Sequence, residues 1–157
     1  MSEIKILLVD DEQEFVNTLS ERIQMRELSS KIAYNGEEAL RLVKDEIPDV
    51  VVLDLRMPGI DGLEVLEQMK KKYPNVQVIV LTGHGSEKDE RISKKLGAYD
   101  YLQKPVSIDK LVSTIWQAYK DNIQDTFTAA TFAEAGDYKS AKEIMDSKKK
   151  GDKKKKE

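Results

Sequence analysis

Short apolar runs punctuate this chain, and each is followed by a stretch whose apolar residues return every three or four positions. Ile4–Val9 (IKILLV), Val50–Leu53 (VVVL) and Val76–Leu81 (VQVIVL) are close to unbroken. Lys31–Tyr34 and Tyr99–Leu102 are weaker examples. Runs of this length between turn signals are what strands buried on both faces require. In the intervening stretches Phe15, Leu19 and Ile23 share one helical face, as do Ala39, Leu40 and Val43. Leu63, Val65, Leu66 and Met69 mark a third helix, Ile92 and Leu96 a fourth, and Leu111, Ile115 and Tyr119 a fifth. Asn35-Gly36, Pro48, Tyr73-Pro74-Asn75 and Gly97 separate the elements. Ser86 followed by Asp89 forms a capping-box pattern, and Ser107 is placed to cap the fifth helix.

Strand and helix therefore alternate five times with short connections. Each crossover has to return across the sheet, which predicts a doubly wound α/β fold with five parallel strands and helices on both faces. At 157 residues the chain holds one such domain with little to spare. There is no cysteine, which excludes disulfides, thiolate metal sites and cysteine nucleophiles. No apolar run reaches the roughly 20 residues of a membrane span, and Met1-Ser2-Glu3 does not open a secretory signal, so a cytoplasmic location is expected. The net charge of −3 is uneven. Residues 147–157 carry seven lysines against Asp152 and Glu157, a local +5 that leaves −8 on residues 1–146. An acidic body argues against a nucleic-acid surface.

Chemistry gathers at the strand ends. The first run ends in Asp10-Asp11-Glu12, the third in Asp54, the fourth in Thr82, and Lys104 lies just past the fifth. In a doubly wound sheet the carboxyl ends of parallel strands share one edge, where ligands bind. Carboxylates about 5 Å apart repel by roughly 3 kcal/mol at an effective dielectric near 20, so either one holds a proton or a cation sits among them. Hard oxygen donors favour Mg²⁺. Lys104 offers a point charge and Thr82 a hydroxyl for phosphoryl oxygens, and a carboxylate so surrounded is equipped to accept a phosphoryl group.

The segments LLVDDE (Leu7–Glu12), VVLDLRMPGIDG (Val51–Gly62), VIVLTGHG (Val78–Gly85) and GAYDYLQKP (Gly97–Pro105) together resemble the receiver domain of two-component response regulators, over about Ile4 to Lys120. The resemblance implies a flavodoxin-like fold with Asp54 as phosphoacceptor. It implies Mg²⁺ on Asp10, Asp11, Asp54 and the Arg56 backbone carbonyl. Thr82 and Lys104 would hold the phosphoryl group, Lys104-Pro105 would be a cis peptide, and Tyr101 would be the switch aromatic that turns inward with Thr82. Arg56 and His84 occupy the two positions that tune dephosphorylation. The expected donor is a sensor histidine kinase or phosphotransfer protein, and the expected output is a partner protein docked on the fourth helix, fifth strand and fifth helix. Such a protein is a phosphoacceptor that assists its own phosphotransfer rather than a turnover enzyme, and acts as a monomer or a phosphorylation-dependent dimer.

Plainer readings stand beside these. Asp10-Asp11 also suits a helix N-terminus, where acids favour the dipole. Thr82 also suits a turn, Lys104 a surface and Tyr101 the core; His84, the single histidine, reads more readily as a loop residue than as a ligand. A haloacid-dehalogenase-type phosphohydrolase also carries an aspartate after a buried strand, but needs a second acid two residues on, where this chain has Arg56. A scaffold that keeps the acidic pocket without phosphorylation is the third reading. A nucleotide-binding fold is disfavoured, because no glycine-rich loop follows the first strand. The receiver is expected to occupy residues 1–122, followed by a helical hairpin-like extension over 123–147 that turns at Gly136-Asp137, and a lysine-rich disordered tail over 148–157. The extension is too short for a winged helix or an ATPase module, and Trp116 is expected to pack against it or to be exposed at a partner surface.

Overall fold

The computed structural model describes the backbone of residues 3–134 and side chains as far as residue 123. Five strands, β1 (Ile6–Val9), β2 (Ser30–Ala33), β3 (Val50–Leu53), β4 (Gln77–Thr82) and β5 (Asp100–Gln103), pair in the order β2-β1-β3-β4-β5. Every pairing is parallel. Five helices connect and follow them: α1 (Gln13–Gln24), α2 (Gly36–Asp45), α3 (Gly62–Lys72), α4 (Glu87–Lys95) and α5 (Ile108–Glu134). The doubly wound sheet is the one the alternation predicts, and its strand order is the flavodoxin-like one that the resemblance implies.

Alternate side chains of each strand point to opposite faces, and both faces are dry. Leu7, Val9, Val51, Leu53, Val78 and Val80 pack on one side with Ala39 and Val43 of α2 and with Val65, Leu66 and Met69 of α3. Ile6, Leu8, Val50, Val52, Ile79 and Leu81 pack on the other with Val16, Leu19 and Ile23 of α1 and with Leu111, Ile115 and Ala118 of α5. Each fully buried Val, Leu or Ile contributes about 1.5–3 kcal/mol relative to exposure, so the central strands carry the fold.

Two details differ from the periodicity. The buried stripe of α1 is Val16, Leu19 and Ile23, and Phe15 is only partly buried at its edge. On α4 the buried residue is Ser93, while Ile92 and Leu96 are half-buried, so this helix sits lightly on the sheet. Its Ser86–Asp89 capping box is present with both reciprocal bonds.

The chain divides into two units between Tyr119 and Lys120. Helix α5 runs unbroken through 122–123, where the sequence placed a boundary, as far as Glu134. The expected turn at Gly136-Asp137 and the lysine-rich tail lie outside the described residues. Trp116 is exposed and meets Tyr119 edge-on at 6.2 Å, one turn along its own helix. Among the described residues no helix is long and apolar enough to cross a membrane.

Candidate functional site

The strand order reverses at β1, which has β2 on one side and β3 on the other. Ligands in open α/β sheets bind at such a switch point, beyond the carboxyl ends of the strands. Val9 and Leu53 are paired across β1 and β3, so the next residues, Asp10 and Asp54, emerge side by side. The Asp54 N–H donates to Val9 O at 3.0 Å and the Asp10 N–H to Ala33 O at 3.1 Å, holding both backbones in the ladder. Thr82 ends β4 opposite Gln103, and the Lys104 N–H donates to Thr82 O at 2.9 Å. Lys104-Pro105 is cis. The sheet register thus brings together Asp10, Asp54, Thr82 and Lys104.

Lys104 Nζ is 2.7 Å from Asp10 Oδ2, 3.1 Å from Glu12 Oε1 and 3.8 Å from Asp54 Oδ2. It also stands 4.2 Å above the centre of the Phe15 ring, which shields its stem and adds a cation–π contact. Carboxylate oxygens of Asp10, Glu12 and Asp54 lie within 4.8 Å of one another. Asp10 and Asp54 are 4% exposed, and burial pushes both carboxyls above the ordinary aspartate range despite the neighbouring lysine. Burial also works against the Lys104 ammonium, but its bond to Asp10 and the charges of Asp10 and Asp54 leave its pKa raised. One cation among crowded carboxylates leaves room for a second. A set of three hard oxygen donors fits a small divalent ion such as Mg²⁺.

Asp11, expected among the ligands, is outside this trio, although its charge still disfavours ionisation of Asp54. Glu12 completes the trio. It is the N-cap of α1 in extended backbone, and in extended chain residues two apart share a side.

The loop between β3 and α3 is pinned at both ends. A Cβ at Gly62 would sit 2.4 Å from Leu55 Cα, so only glycine lets α3 start against the strand it leaves. Gly59 adopts φ +84°, and Glu37 of α2 accepts the Ile60 N–H at 3.2 Å. Glu37 carried no sequence signal. Within this loop the Arg56 N–H reaches Asp54 Oδ1 at 3.4 Å, while its side chain leaves in the other direction, Nη2 lying 2.9 Å from Asp89 Oδ2 of α4. His84 is exposed on the loop after β4.

On the β4–β5 side, Thr82 is fully buried and Tyr101 is 8% exposed. The Thr82 hydroxyl is near enough to Asp54 to favour its ionised form. Even so, Thr82 Oγ1 and Tyr101 Oη are buried without a hydrogen-bond partner. Tyr101 already lies inward. A Cβ at Gly85 would fall 1.5 Å from its hydroxyl and 2.7 Å from the Thr82 methyl, so the ring occupies the space that any side chain at 85 would need.

Fold and edge together define the class, a doubly wound receiver-type module with an acidic, lysine-capped carboxyl edge. The family model for the response regulator receiver domain matches residues 6–116, and the chain belongs to that family. It is 38% identical over 120 residues to a response regulator described as NtrX-like from Rickettsia conorii, a match covering 75% of this chain and 25% of that protein. The chain thus spans about a quarter of the length of the curated relatives it matches. Among solved structures, the receiver domain of the Francisella response regulator 1452 is 32% identical with a TM-score of 0.71, covering 76% of this chain and 98% of that one. The receiver domain of NtrX from Brucella abortus is 30% identical with a TM-score of 0.69, covering 73% and 98%.

Proposed function

We propose that this receiver accepts a phosphoryl group on Asp54 from a phosphohistidine of a sensor kinase or phosphotransfer protein. The observation that carries the reading is the buried Asp54 carboxylate facing both a lysine and a hydroxyl with no partner of its own. An Asp54 oxygen attacks phosphorus in line, and the P–N bond breaks with its electron pair returning to the donor imidazole. Lys104 stays beside the accepting oxygen and compensates charge on the transferred group. Thr82 Oγ1, a buried donor with nothing to bond, supplies a hydrogen bond to one phosphoryl oxygen. Asp10, Asp11 and Asp54 would hold Mg²⁺ together with the Arg56 backbone carbonyl, with the Glu12 carboxylate close to those of Asp10 and Asp54. The ion supplies neutralisation of phosphoryl oxygens when bound.

Once Thr82 is drawn to the phosphoryl group, the pocket beside the Tyr101 ring changes shape, because ring and threonine methyl both border Gly85. The change reaches the surface on α4, β5 and α5, where a downstream protein docks. A chain working this way is a substrate and a switch rather than a turnover enzyme. Moving such a switch from 1:99 to 99:1 takes a preference of about 5.5 kcal/mol for the active state.

The test is intact mass after incubation with acetyl phosphate and Mg²⁺. Wild type is expected to gain about 80 Da, the mass of one phosphoryl group. Asp54→Ala is expected to gain nothing, and EDTA to prevent the gain in wild type. An adduct of equal yield on Asp54→Ala, or none on wild type even with a competent phosphohistidine donor, would overturn the reading.

A further inference from the structure

Arg56 divides its allegiance. Its backbone N–H is at the acceptor, 3.4 Å from Asp54 Oδ1, yet its guanidinium points to α4 and bonds Asp89 Oδ2 at 2.9 Å. Asp89 is the better anchored member of the pair. Its side chain is 14% exposed against 57% for Arg56. The same Oδ2 accepts the Ser86 N–H at 3.1 Å, and the Asp89 N–H donates to Ser86 Oγ at 3.1 Å, so the capping box fixes the carboxylate before arginine arrives. The pair also borders the buried tyrosine: burial raises the Tyr101 pKa most, the Asp89 and Glu90 charges raise it further, and Arg56 lowers it.

We propose that Asp89 is a positioning residue for Arg56: it draws the guanidinium toward α4 and away from Asp54, and so sets how long a phosphoryl group on Asp54 survives. The inference rests on the phosphoacceptor reading above. A helix cap alone needs only the reciprocal bonds with Ser86, so the arginine is an addition to the cap. An aspartyl phosphate brings close to two negative charges within two residues of Arg56. The guanidinium then has two competing anions, and the half-buried, pre-bonded Asp89 holds it back from the phosphoryl group. During hydrolysis a water oxygen bonds to phosphorus as the Asp54 Oδ–P bond breaks. The electron pair stays on the carboxylate, and the water's proton leaves with inorganic phosphate or to solvent. A guanidinium free to lie over the phosphoryl oxygens occupies part of the approach that this water uses. Releasing Arg56 from Asp89 therefore slows the loss of phosphate.

The experiment uses the full 157-residue chain and follows decay of the acetyl-phosphate adduct by intact mass. Asp89→Asn keeps an oxygen for the Ser86 N–H but loses the charge. It is expected to lengthen the adduct half-life about two- to fivefold, the range an ion pair of this exposure supports. Asp89→Glu, which keeps charge and cap, is expected to retain the wild-type half-life. In an Arg56→Ala background Asp89→Asn is expected to change nothing. An unchanged or shortened half-life in Asp89→Asn, or the same lengthening without Arg56, overturns the proposal. The Arg56 Nε–Hε NMR signal of the unphosphorylated protein gives an independent reading. It is expected to shift in Asp89→Asn, and a fixed signal overturns the positioning claim. Absence of any wild-type adduct counts against the phosphoacceptor reading instead, and the arginine signal still decides whether Asp89 holds Arg56.

Discussion

The two halves of the site differ in how far their polar groups are satisfied. On the β1–β3 side nearly every oxygen has a partner: Asp10 accepts the Glu12 N–H at 2.9 Å and Lys104 at 2.7 Å, and Asp54 accepts the Arg56 N–H. On the β4–β5 side the Thr82 and Tyr101 hydroxyls are buried and unbonded. A saturated network is costly to disturb, whereas an orphaned donor gains by any movement that finds it an acceptor. Under the proposed function the difference would separate two tasks, with fixed charges on one side to hold the chemistry and unbonded hydroxyls on the other to report it.

The largest effect is expected from Lys104. Lys104→Met leaves Asp10, Glu12 and Asp54 without their shared cation. Urea unfolding in EDTA is expected to show a loss of about 2–3 kcal/mol, somewhat below the usual cost of breaking a buried pair because the carboxyls can take up protons. A stability equal to wild type would mean that the saturated half is not held by this lysine.

Asp54→Asn is expected to act in the opposite direction, raising stability at neutral pH in EDTA by about 1–2 kcal/mol, chiefly because no charged carboxylate is then buried and secondarily through relief of carboxylate repulsion. The sign follows from burial, which raises the pKa of both Asp10 and Asp54. A carboxyl raised on folding contributes stability that is full below its unfolded value, 3.8 for aspartate, and is lost as pH rises through the folded value. Wild type in EDTA is therefore expected to lose stability from mild acid toward neutrality more steeply than Asp54→Asn. Added Mg²⁺ is expected to narrow the gap by mass action on the folded state. Equal pH slopes for the two proteins would show that Asp54 carries no such strain.

Thr82→Val is the smallest change and the sharpest test of the contrast. Removing an orphaned hydroxyl of the same shape is expected to leave stability within about 1 kcal/mol of wild type, or slightly above it. Its adduct is nevertheless expected to leave the Tyr101 ring signals in NMR closer to the unphosphorylated pattern than the wild-type adduct does. A loss of several kcal/mol would mean that Thr82 is bonded after all and belongs with the saturated half.

Much of this was legible in the chain. The unbroken Val50–Leu53 run occupies β3 as read, and strand ends carrying Asp10, Asp54, Thr82 and Lys104 had to converge once the sheet was parallel. What escaped the reading depends on three-dimensional neighbours. Asp89 was fully explained by its cap with Ser86, so nothing local pointed to an arginine 33 residues away. Phe15 belongs to an ordinary helical stripe, and only the fold places its ring beneath Lys104. Gly85 sits in the loop after β4, and only the fold shows that Tyr101 fills the space its side chain would need. Helix α5 continues across the 122/123 boundary, where Asp121, Asn122 and Ile123 include neither proline nor glycine to stop it.

The central claim is that the phosphoryl group resides on Asp54, and the direct test is its location in the chain. The acetyl-phosphate adduct would be reduced with borohydride, which converts an aspartyl phosphate to homoserine, and the peptides spanning β1 and β3 with the loops that follow them sequenced by tandem mass spectrometry. The account predicts homoserine at position 54 and unmodified aspartate at 10 and 11. Homoserine at either of those positions, or an adduct that leaves Asp54 intact, would contradict it.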